Sequence, residues 1–331
     1  MTVAPAYTKQ LFRIHRLNIS VSTNSTWIAH ETLRDLKHYL VSSPHHGHAQ
    51  ANLNFHVADR VRSFNIGRNA VRDVFADHIE IFTGGPERYI RLGPTGSSSF
   101  VRLHLDRIQV QGRLHRNHER SPMSRALLKW SIIKAFEKKS VIPIHSSGVS
   151  SDHRVRLFVG RTGSGKTSIL VLFLLNRHRM LADDFLFFQG KTLYPFPIRS
   201  TLHPDTMKRL AQKIRKTSLS TKLATPLSDL TRIFETVRHK VDTGAVSIYY
   251  IRVWNSTRTK VIPLSPKKML GFMIDSYLSE FDNSYWFGWR RLEVIRNILE
   301  AYSRLAELAE CFEVRAGEDP EDRYKKIVMA E

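Results

Sequence analysis

A glycine-rich segment near the middle of the chain carries the residue types best suited to bind phosphate. It reads Gly160, Arg161, Thr162, Gly163, Ser164, Gly165, Lys166 and Thr167, and Ser168 follows directly. This order matches the phosphate-loop pattern G-x-x-x-x-G-K-[ST], in which glycines let backbone N–H groups turn toward phosphate oxygens. Lys166 is expected to reach the β- and γ-phosphates of a nucleotide, and the Thr167 hydroxyl is expected to bind Mg²⁺.

The residues on either side of the loop supply the context that the motif needs. Residues 155–159 are mostly apolar and predict a strand, and residues 168–175 predict a helix. The N-terminus of that helix favours an anion because its N–H groups and its dipole point at the ligand. Residues 160–168 therefore predict a binding site for ATP with Mg²⁺. The alternative is a glycine-rich turn ahead of a core helix.

Two adjacent acidic residues, Asp183 and Asp184, are the second chemical feature. They interrupt the apolar residues 180–188, which we interpret as a strand that follows one helix after the loop. Charged groups inside an apolar strand cost free energy unless a cation or hydrogen bonds compensate them. Near a Mg²⁺–nucleotide, one carboxylate would coordinate the metal and the other would accept the proton of an attacking hydroxyl. The alternative is a pair at a strand end, balanced by Arg177 or Arg179.

A histidine, His145, is the third candidate. It ends a predicted short strand, residues 141–145, and residues 146–149 are predicted to turn the chain toward the loop strand. That position would bring the imidazole close to the γ-phosphate. The alternative is a structural histidine at a strand end.

Residues 142–197 combine these features in a recognisable order. They read His-Ser-Ser-Gly-Val, a strand, the glycine loop, a short helix, Leu-Ala-Asp-Asp and Tyr-Pro-Phe-Pro. This order resembles the kinase domain of HPr kinase/phosphorylase and its relatives, which share their nucleotide-site plan with phosphoenolpyruvate carboxykinase. The resemblance implies that His145 lies near the transferred phosphate. It also implies that Asp183 is the catalytic base and that Asp184 assists the metal.

The resemblance has limits that bear on the activity. The N-terminal part does not resemble the regulatory domain of HPr kinases, and the stretch after the Asp pair lacks the phosphorylase signature. These departures indicate an HPr kinase-like protein rather than HPr kinase itself. The relatives phosphorylate serine, the C-terminus of a lasso peptide, or small molecules, so the family implies a hydroxyl acceptor without naming it.

The fold expected from these patterns is α/β. Residues 1–120 are predicted to form an N-terminal α+β subdomain, and residues 121–331 a P-loop kinase core of the HPr kinase type with C-terminal helices. Alternation predicts single strands at residues 11–22 and 100–111, and helical spacing predicts a helix at 124–138. A homo-oligomer is also expected, because the family often forms oligomers.

The formal charge of +21 points to an anionic partner. Nucleic acid, an acidic protein or peptide, and a membrane surface all fit, as does a solvated basic surface with no partner. The basic residues 208–222 suggest either a substrate-facing surface or a lid, with Arg199, Lys208 and Arg209 as its substrate-side candidates. The charge keeps a kinase or NTPase acting on RNA or DNA as an alternative, although no recognition motif of the helix-turn-helix, RRM or zinc-finger kind is present.

The cysteine count and the lengths of the apolar runs bear on the cellular compartment of the protein. One cysteine, Cys311, excludes an intramolecular disulfide and fits a reducing compartment. No secretory signal and no apolar run of membrane-spanning length is evident, so we predict a cytoplasmic protein. Three histidines within residues 42–48 are interpreted as part of a flexible loop rather than a metal site, and the aromatic, basic residues 285–291 as helix packing rather than a membrane contact.

Overall fold

A computed structural model describes residues 7–41, 49–66, 70–76, 79–93, 98–120, 123–151, 154–198, 229–281 and 292–331. The chain divides into two compact units. The first comprises Met1–Ser140 with Asn283–Val294, and the second Val141–Asp282 with Ile295–Glu331. Each unit contains a mixed β-sheet and helices, which confirms the predicted α/β class. The predicted domain boundary at residue 120 stays a prediction.

The first unit is built on an eight-stranded sheet with the order β1-β2-β3-β8-β7-β6-β5-β4. Its strands are β1 (Thr8–Ile14), β2 (Leu17–Thr23), β3 (Ala51–Ala58), β4 (Val71–Ala76), β5 (Ile79–Gly84), β6 (Glu87–Leu92), β7 (Ser99–His104) and β8 (Gln109–His115). The helices α1 (Thr26–Leu36) and α2 (Met123–Glu137) pack on β1, β2, β3 and β8. The Ser25 hydroxyl caps α1 by accepting the Ile28 N–H at 3.0 Å.

Two predicted strands of this unit are each two strands in the structure. Residues 11–22 form the hairpin β1–β2, which turns at His15 in a left-handed conformation with φ 53°. Residues 100–111 cover β7, a turn and the start of β8. Both predictions were wrong because the apolar–polar alternation continues through turns that contain neither glycine nor proline.

The second unit is built on a nine-stranded sheet with the order β14-β13-β12-β9-β10-β15-β17-β16, and β11 also pairs with β9. Its strands are β9 (Ile142–Ser150), β10 (Val155–Val159), β11 (Arg179–Ala182), β12 (Phe185–Gln189), β13 (Thr192–Tyr194), β14 (Val241–Asp242), β15 (Val246–Val253), β16 (Lys260–Pro263) and β17 (Glu310–Ala316). Among the described pairs of this sheet, only β10–β15 and β15–β17 are parallel.

The described helices of the second part of the chain are α3 (Lys166–Leu175), α4 (Leu230–Ile233), α5 (Pro266–Phe281), α6 (Leu292–Leu308) and α7 (Pro320–Met329). Helix α3 is apolar on most sides, and its side chains enter a core with β10, β15, β17 and α7. In that core the rings of Phe158 and Phe173 lie 5.2 Å apart. No helix within the described residues is long and apolar enough to cross a membrane.

The strand β9 differs most from the sequence prediction. Residues 146–149 were predicted to form a turn, but they continue β9, and all nine of its residues are buried. The strand pairs with β10 on one side and with β11 and β12 on the other. The turn prediction was wrong because Ser-Ser-Gly is typical of loops, whereas here these small residues let neighbours approach β9 closely. A Cβ on Gly148 would lie 3.1 Å from the Leu157 side chain.

A buried charged network ties α7 to the sheet of the second unit. The Arg156 guanidinium donates to both carboxylate oxygens of Glu331, with Nε 2.8 Å from Oε1. The Tyr249 hydroxyl donates to the same Oε1 at 2.5 Å. His178 lies beside this network, and burial, reinforced by the Arg156 charge, lowers its pKa to about 4. The imidazole is therefore neutral in the folded protein at neutral pH.

The depressed pKa of His178 predicts a pH-dependent loss of stability. Between about pH 6.5 and about pH 4 the unfolded chain binds a proton at this residue and the folded chain does not, so stability falls as pH falls through this window. We expect His178→Gln to flatten this part of the curve in urea unfolding at pH 7 and pH 5, whereas His239→Gln, at an exposed position, leaves it unchanged. An equally steep curve for His178→Gln would contradict the assignment.

Candidate active site

The glycine loop joins the end of β10 to the start of α3, as the motif requires. Gly160 has φ 151°, and a Cβ there would lie 2.7 Å from Ser164 Oγ and 2.9 Å from the Ile251 carbonyl oxygen. Gly165 is the N-cap of α3 in the left-handed region, with φ 94°. Both positions therefore require glycine, the first for close approach and the second for backbone conformation.

The N-terminus of α3 has the character of an anion site. Gly165, the N-cap residue, has no side chain with which to cap the helix. The first N–H groups of a helix need a partner from outside the helix, and phosphate oxygens meet that need well. Thr167 and Ser168 lie half-buried in this first turn, while Arg161, Thr162 and Gly163 are exposed.

The Lys166 side chain lies back over its own loop and is 8% exposed. Its Nζ donates to the carbonyl oxygens of Gly160 at 2.6 Å and Arg161 at 3.1 Å. The ammonium group is thus held at the loop by backbone carbonyls. Arg161 extends the other way, and its Nε lies 3.4 Å from Asp275 Oδ2 on α5.

The acidic pair occupies a two-residue bend between β11 and β12 rather than the interior of a strand. Both of these strands run antiparallel to β9. The Ser147 hydroxyl is 2.9 Å from Asp183 Oδ1 and 2.9 Å from the Asp183 carbonyl oxygen, and the Ser146 N–H donates to the Asp184 carbonyl oxygen at 3.2 Å. The carboxylates remain half-buried.

The register of the sheet places Asp183 and Asp184 at the same height along β9 as the start of the glycine loop. Ser147 pairs with Phe158 and Ser146 with Val159, the last residues of β10. The acidic pair therefore lies across β9 from the point where the glycine loop begins. The acidic bend and the end of β10 are two strand spacings apart, which is about 10 Å. One nucleoside triphosphate can span this distance.

His145 lies on β9 between these two elements and is 4% exposed. Its Nδ1 is 2.9 Å from the carbonyl oxygen of Ser276. Because a carbonyl only accepts, the proton of this hydrogen bond is on Nδ1. The other nitrogen, Nε2, faces Asp184 Oδ1 at 3.7 Å. The histidine therefore has its ring fixed by one nitrogen and presents the other to the acidic pair.

Sequence reasoning missed Ser276, a residue on α5 that is 1% exposed. Its hydroxyl donates to the Gly160 carbonyl oxygen at 2.9 Å and accepts the Gly160 N–H at 3.2 Å. Through its own carbonyl it also holds His145. The available signal was a serine on the buried stripe of α5, beside Met269, Met273 and Tyr277, and that signal identifies no chemistry by itself.

Several predicted features lie outside the described residues. These are the basic stretch 208–222 with the substrate-side candidates Arg199, Lys208 and Arg209, the three histidines of residues 42–48, and the aromatic residues 285–291. The structure gives them no position relative to the loop.

Neither a protein-family model nor a curated protein matches this chain. Its function is therefore inferred from the arrangement of the site itself.

The Ser276 contacts predict a measurable contribution to stability. Ser276→Ala would leave the buried Gly160 N–H and C=O without this partner, at a cost of about 1–3 kcal/mol in the free energy of unfolding. Ser303→Ala removes only an exposed hydrogen bond to Glu307 and should change stability by less than about 0.5 kcal/mol. Urea unfolding gives the free energy of unfolding of both variants. Equal losses of stability in the two variants would show that the Ser276 hydrogen bonds do not hold the site together.

Proposed function

We propose that the second compact unit is the core of an ATP-dependent kinase of the HPr kinase type, which transfers the γ-phosphate to a hydroxyl group. The acceptor class is a serine of a protein or peptide, or a small molecule. The observation that carries the proposal is the placement of the Asp183–Asp184 bend across β9 from the glycine loop. That placement supports the proposal, because it sets two carboxylates beside the loop that would bind the phosphates.

The residues present fit a magnesium–nucleotide complex. The loop backbone from Gly160 to Lys166 and the open N-terminus of α3 suit the phosphates. The Thr167 hydroxyl and the Asp184 carboxylate are hard oxygen ligands of the type that Mg²⁺ prefers. When bound, Mg²⁺ neutralises charge on the phosphate oxygens and ATP supplies the phosphoryl group.

Asp183 is proposed as the base. The Ser147 hydroxyl holds its Oδ1 at 2.9 Å, which fixes the orientation of the carboxylate. In the proposed reaction the acceptor oxygen forms a bond to the γ-phosphorus, the bond to the bridging oxygen of ADP breaks, and the proton of the acceptor hydroxyl passes to Asp183. Lys166 stabilises the negative charge that develops on the phosphate oxygens.

His145 is proposed to act through its Nε2 atom. Because Nδ1–H is bonded to the Ser276 carbonyl, Nε2 is the nitrogen that faces Asp184 and would lie toward the phosphate. A protonated ring would add a positive charge beside the acidic pair, and a neutral ring would accept a hydrogen bond there. Ser276 is a positioning residue in this scheme, since it holds both His145 and Gly160.

A second candidate is a kinase or NTPase that acts on RNA or DNA. The observation that favours it is the formal charge of +21, which suits a polyanionic partner. A non-catalytic nucleotide-binding module is less well supported, because binding alone requires no oriented carboxylate such as that of Asp183. The predicted homo-oligomer and the predicted cytoplasmic location stay predictions.

The Lys166 side chain provides a test of nucleotide binding. Lys166→Ala should weaken Mg²⁺–ATP binding by more than tenfold in calorimetry, because it removes the cation expected to contact the β- and γ-phosphates. Lys191→Ala, at an exposed turn between β12 and β13, is the matched control and should bind as the wild type does. Unchanged affinity in Lys166→Ala would refute the phosphate-loop assignment.

The Asp183 carboxylate provides a test of phosphoryl transfer. With γ-labelled ATP and a panel of serine peptides, free serine, small hydroxyl metabolites and RNA with a 5′-hydroxyl, the wild type should label one acceptor class. Asp183→Asn should lower that transfer about 10²- to 10⁴-fold, because it removes the base, while ATP binding survives. Asp242→Asn, at an exposed position of β14, should transfer normally.

The panel also separates the two candidate functions. Labelling of the RNA in place of the other acceptors would support the nucleic-acid alternative. Normal transfer by Asp183→Asn to any acceptor would show that another group is the base.

A further inference from the structure

One face of the first-unit sheet carries arginine and aromatic side chains in cross-strand rows. In the first row Glu80 pairs with Arg91, Arg91 with Phe100, and Phe100 with Arg113, across β5 to β8. In the second row the residues are Phe82, Tyr89, Arg102 and Gln111. Alternation puts the members of both rows on one side of the sheet. We call this side, formed by β5 to β8, the arginine–aromatic face.

Part of the face is covered by the chain segment before β4. The contacts of this segment show which chemical groups the face can bind. The Phe64 ring lies 4.2 Å from the Arg113 guanidinium carbon and 5.4 Å from that of Arg102. Arg113 Nη1 also donates to the backbone carbonyl oxygens of Arg62 and Ser63, at 3.2 and 3.0 Å. The segment is thereby held against the sheet by stacking of guanidinium groups on an aromatic ring.

Beside this segment the face opens into a cavity of about 400 Å³. Its walls include the aromatic rings of Phe64, Phe82 and Phe100, and its polar lining includes Glu80 and Arg91. A cavity of this size is within the range of small-ligand pockets and exceeds the volume of one nucleobase. Phe82 and Phe100 are on strands separated by β6, so their backbones are about 10 Å apart.

The charge of the face is positive. Four arginines, Arg72, Arg91, Arg102 and Arg113, lie on this side of the sheet with two carboxylates, Glu80 and Glu87, and Glu87 accepts a hydrogen bond from Tyr89. Glu80 lies between Arg91 at 2.9 Å and Arg72 at 3.5 Å, so one carboxylate faces two guanidinium groups. The side chains of Arg72 and Arg91 are 48% and 38% exposed and remain accessible to an anion.

We propose that the arginine–aromatic face binds single-stranded nucleic acid. Bases would stack on the rings of Phe82 and Phe100, and phosphates would contact the guanidinium groups of Arg72 and Arg91. A single strand is specified because the bases of a duplex are already stacked on one another and hide their flat faces. This site belongs to the first unit and does not depend on the kinase proposal for the second.

The composition of the face distinguishes this ligand from two others. An apolar peptide would account for the phenylalanines but not for four arginines with two carboxylates. An acidic peptide would account for the arginines but not for flat rings lining the cavity beside them. Single-stranded nucleic acid accounts for both features, because its phosphates suit the arginines and its bases suit the aromatic rings. The net charge of +21 favours a polyanion as well.

The test uses the full-length protein and fluorescently labelled 12-nucleotide RNA and DNA strands of mixed sequence. Anisotropy titrations at several salt concentrations should show binding that weakens with salt, and Arg72→Gln and Arg91→Gln should each lower the logarithmic salt slope by about 0.7. Arg107→Gln, in the exposed turn between β7 and β8, removes the same charge away from the face and should change the slope less.

Phenylalanine variants test stacking. Phe100→Leu keeps an apolar side chain but loses the flat ring, and it should weaken binding about fivefold to hundredfold. Phe82→Leu should act in the same way, and Phe100→Tyr should retain affinity. Lys166→Ala should bind the strands like the wild type, which separates this site from the glycine loop. Unchanged thermal unfolding midpoints would establish that the variants are folded.

Three results would overturn the proposal. The first is no binding of either strand by the wild type at about 50 mM salt, where electrostatic contacts are strong. The second is wild-type affinity in the folded Phe100→Leu, Phe82→Leu and Arg91→Gln variants. The third is stronger binding of a duplex or of a poly-glutamate peptide than of the single strands.

Discussion

The pairing of β9 on both of its edges is the constraint on which the candidate site depends. One edge holds β10, which delivers the glycine loop, and the other holds β11 and β12, between which Asp183 and Asp184 lie. His145 belongs to β9 itself. The small residues Ser146, Ser147 and Gly148 allow this close pairing, and Ser147 also supplies the hydroxyl that orients Asp183. A loop at residues 146–149 would have separated the acidic pair from the glycine loop.

The polar groups of this region are held by a short chain of buried hydrogen bonds. Ser276 bonds to both backbone groups of Gly160 and holds the His145 ring, which faces Asp184. Buried polar groups are costly when unpaired, so a chain of this kind fixes the orientation of each member. A fixed arrangement of this kind is what electrostatic stabilisation of the proposed phosphoryl transfer would require.

Local patterns in the sequence were sufficient for several elements. The glycine loop, β10 and α3 follow from the motif and from the apolar residues on either side of it, and the structure contains them all. The Ser-Ser-Gly stretch was misassigned because its composition is that of a turn and its burial comes only from neighbouring strands. Ser276 could not be identified, because its role arises from contacts with Gly160 and His145, more than a hundred positions away. The arginine–aromatic face likewise required the strand register, which places Arg91 beside Phe100.

The central claim is that the glycine loop and the acidic pair form a single site across β9. Calorimetric titration of ATP with and without Mg²⁺, in the wild type and in Asp184→Asn, tests it most directly. We expect Mg²⁺ to strengthen ATP binding in the wild type. We expect Asp184→Asn to lose most of this enhancement while still binding ATP through the loop. The same Mg²⁺ enhancement in Asp184→Asn would show that the acidic pair and the loop are not parts of one site.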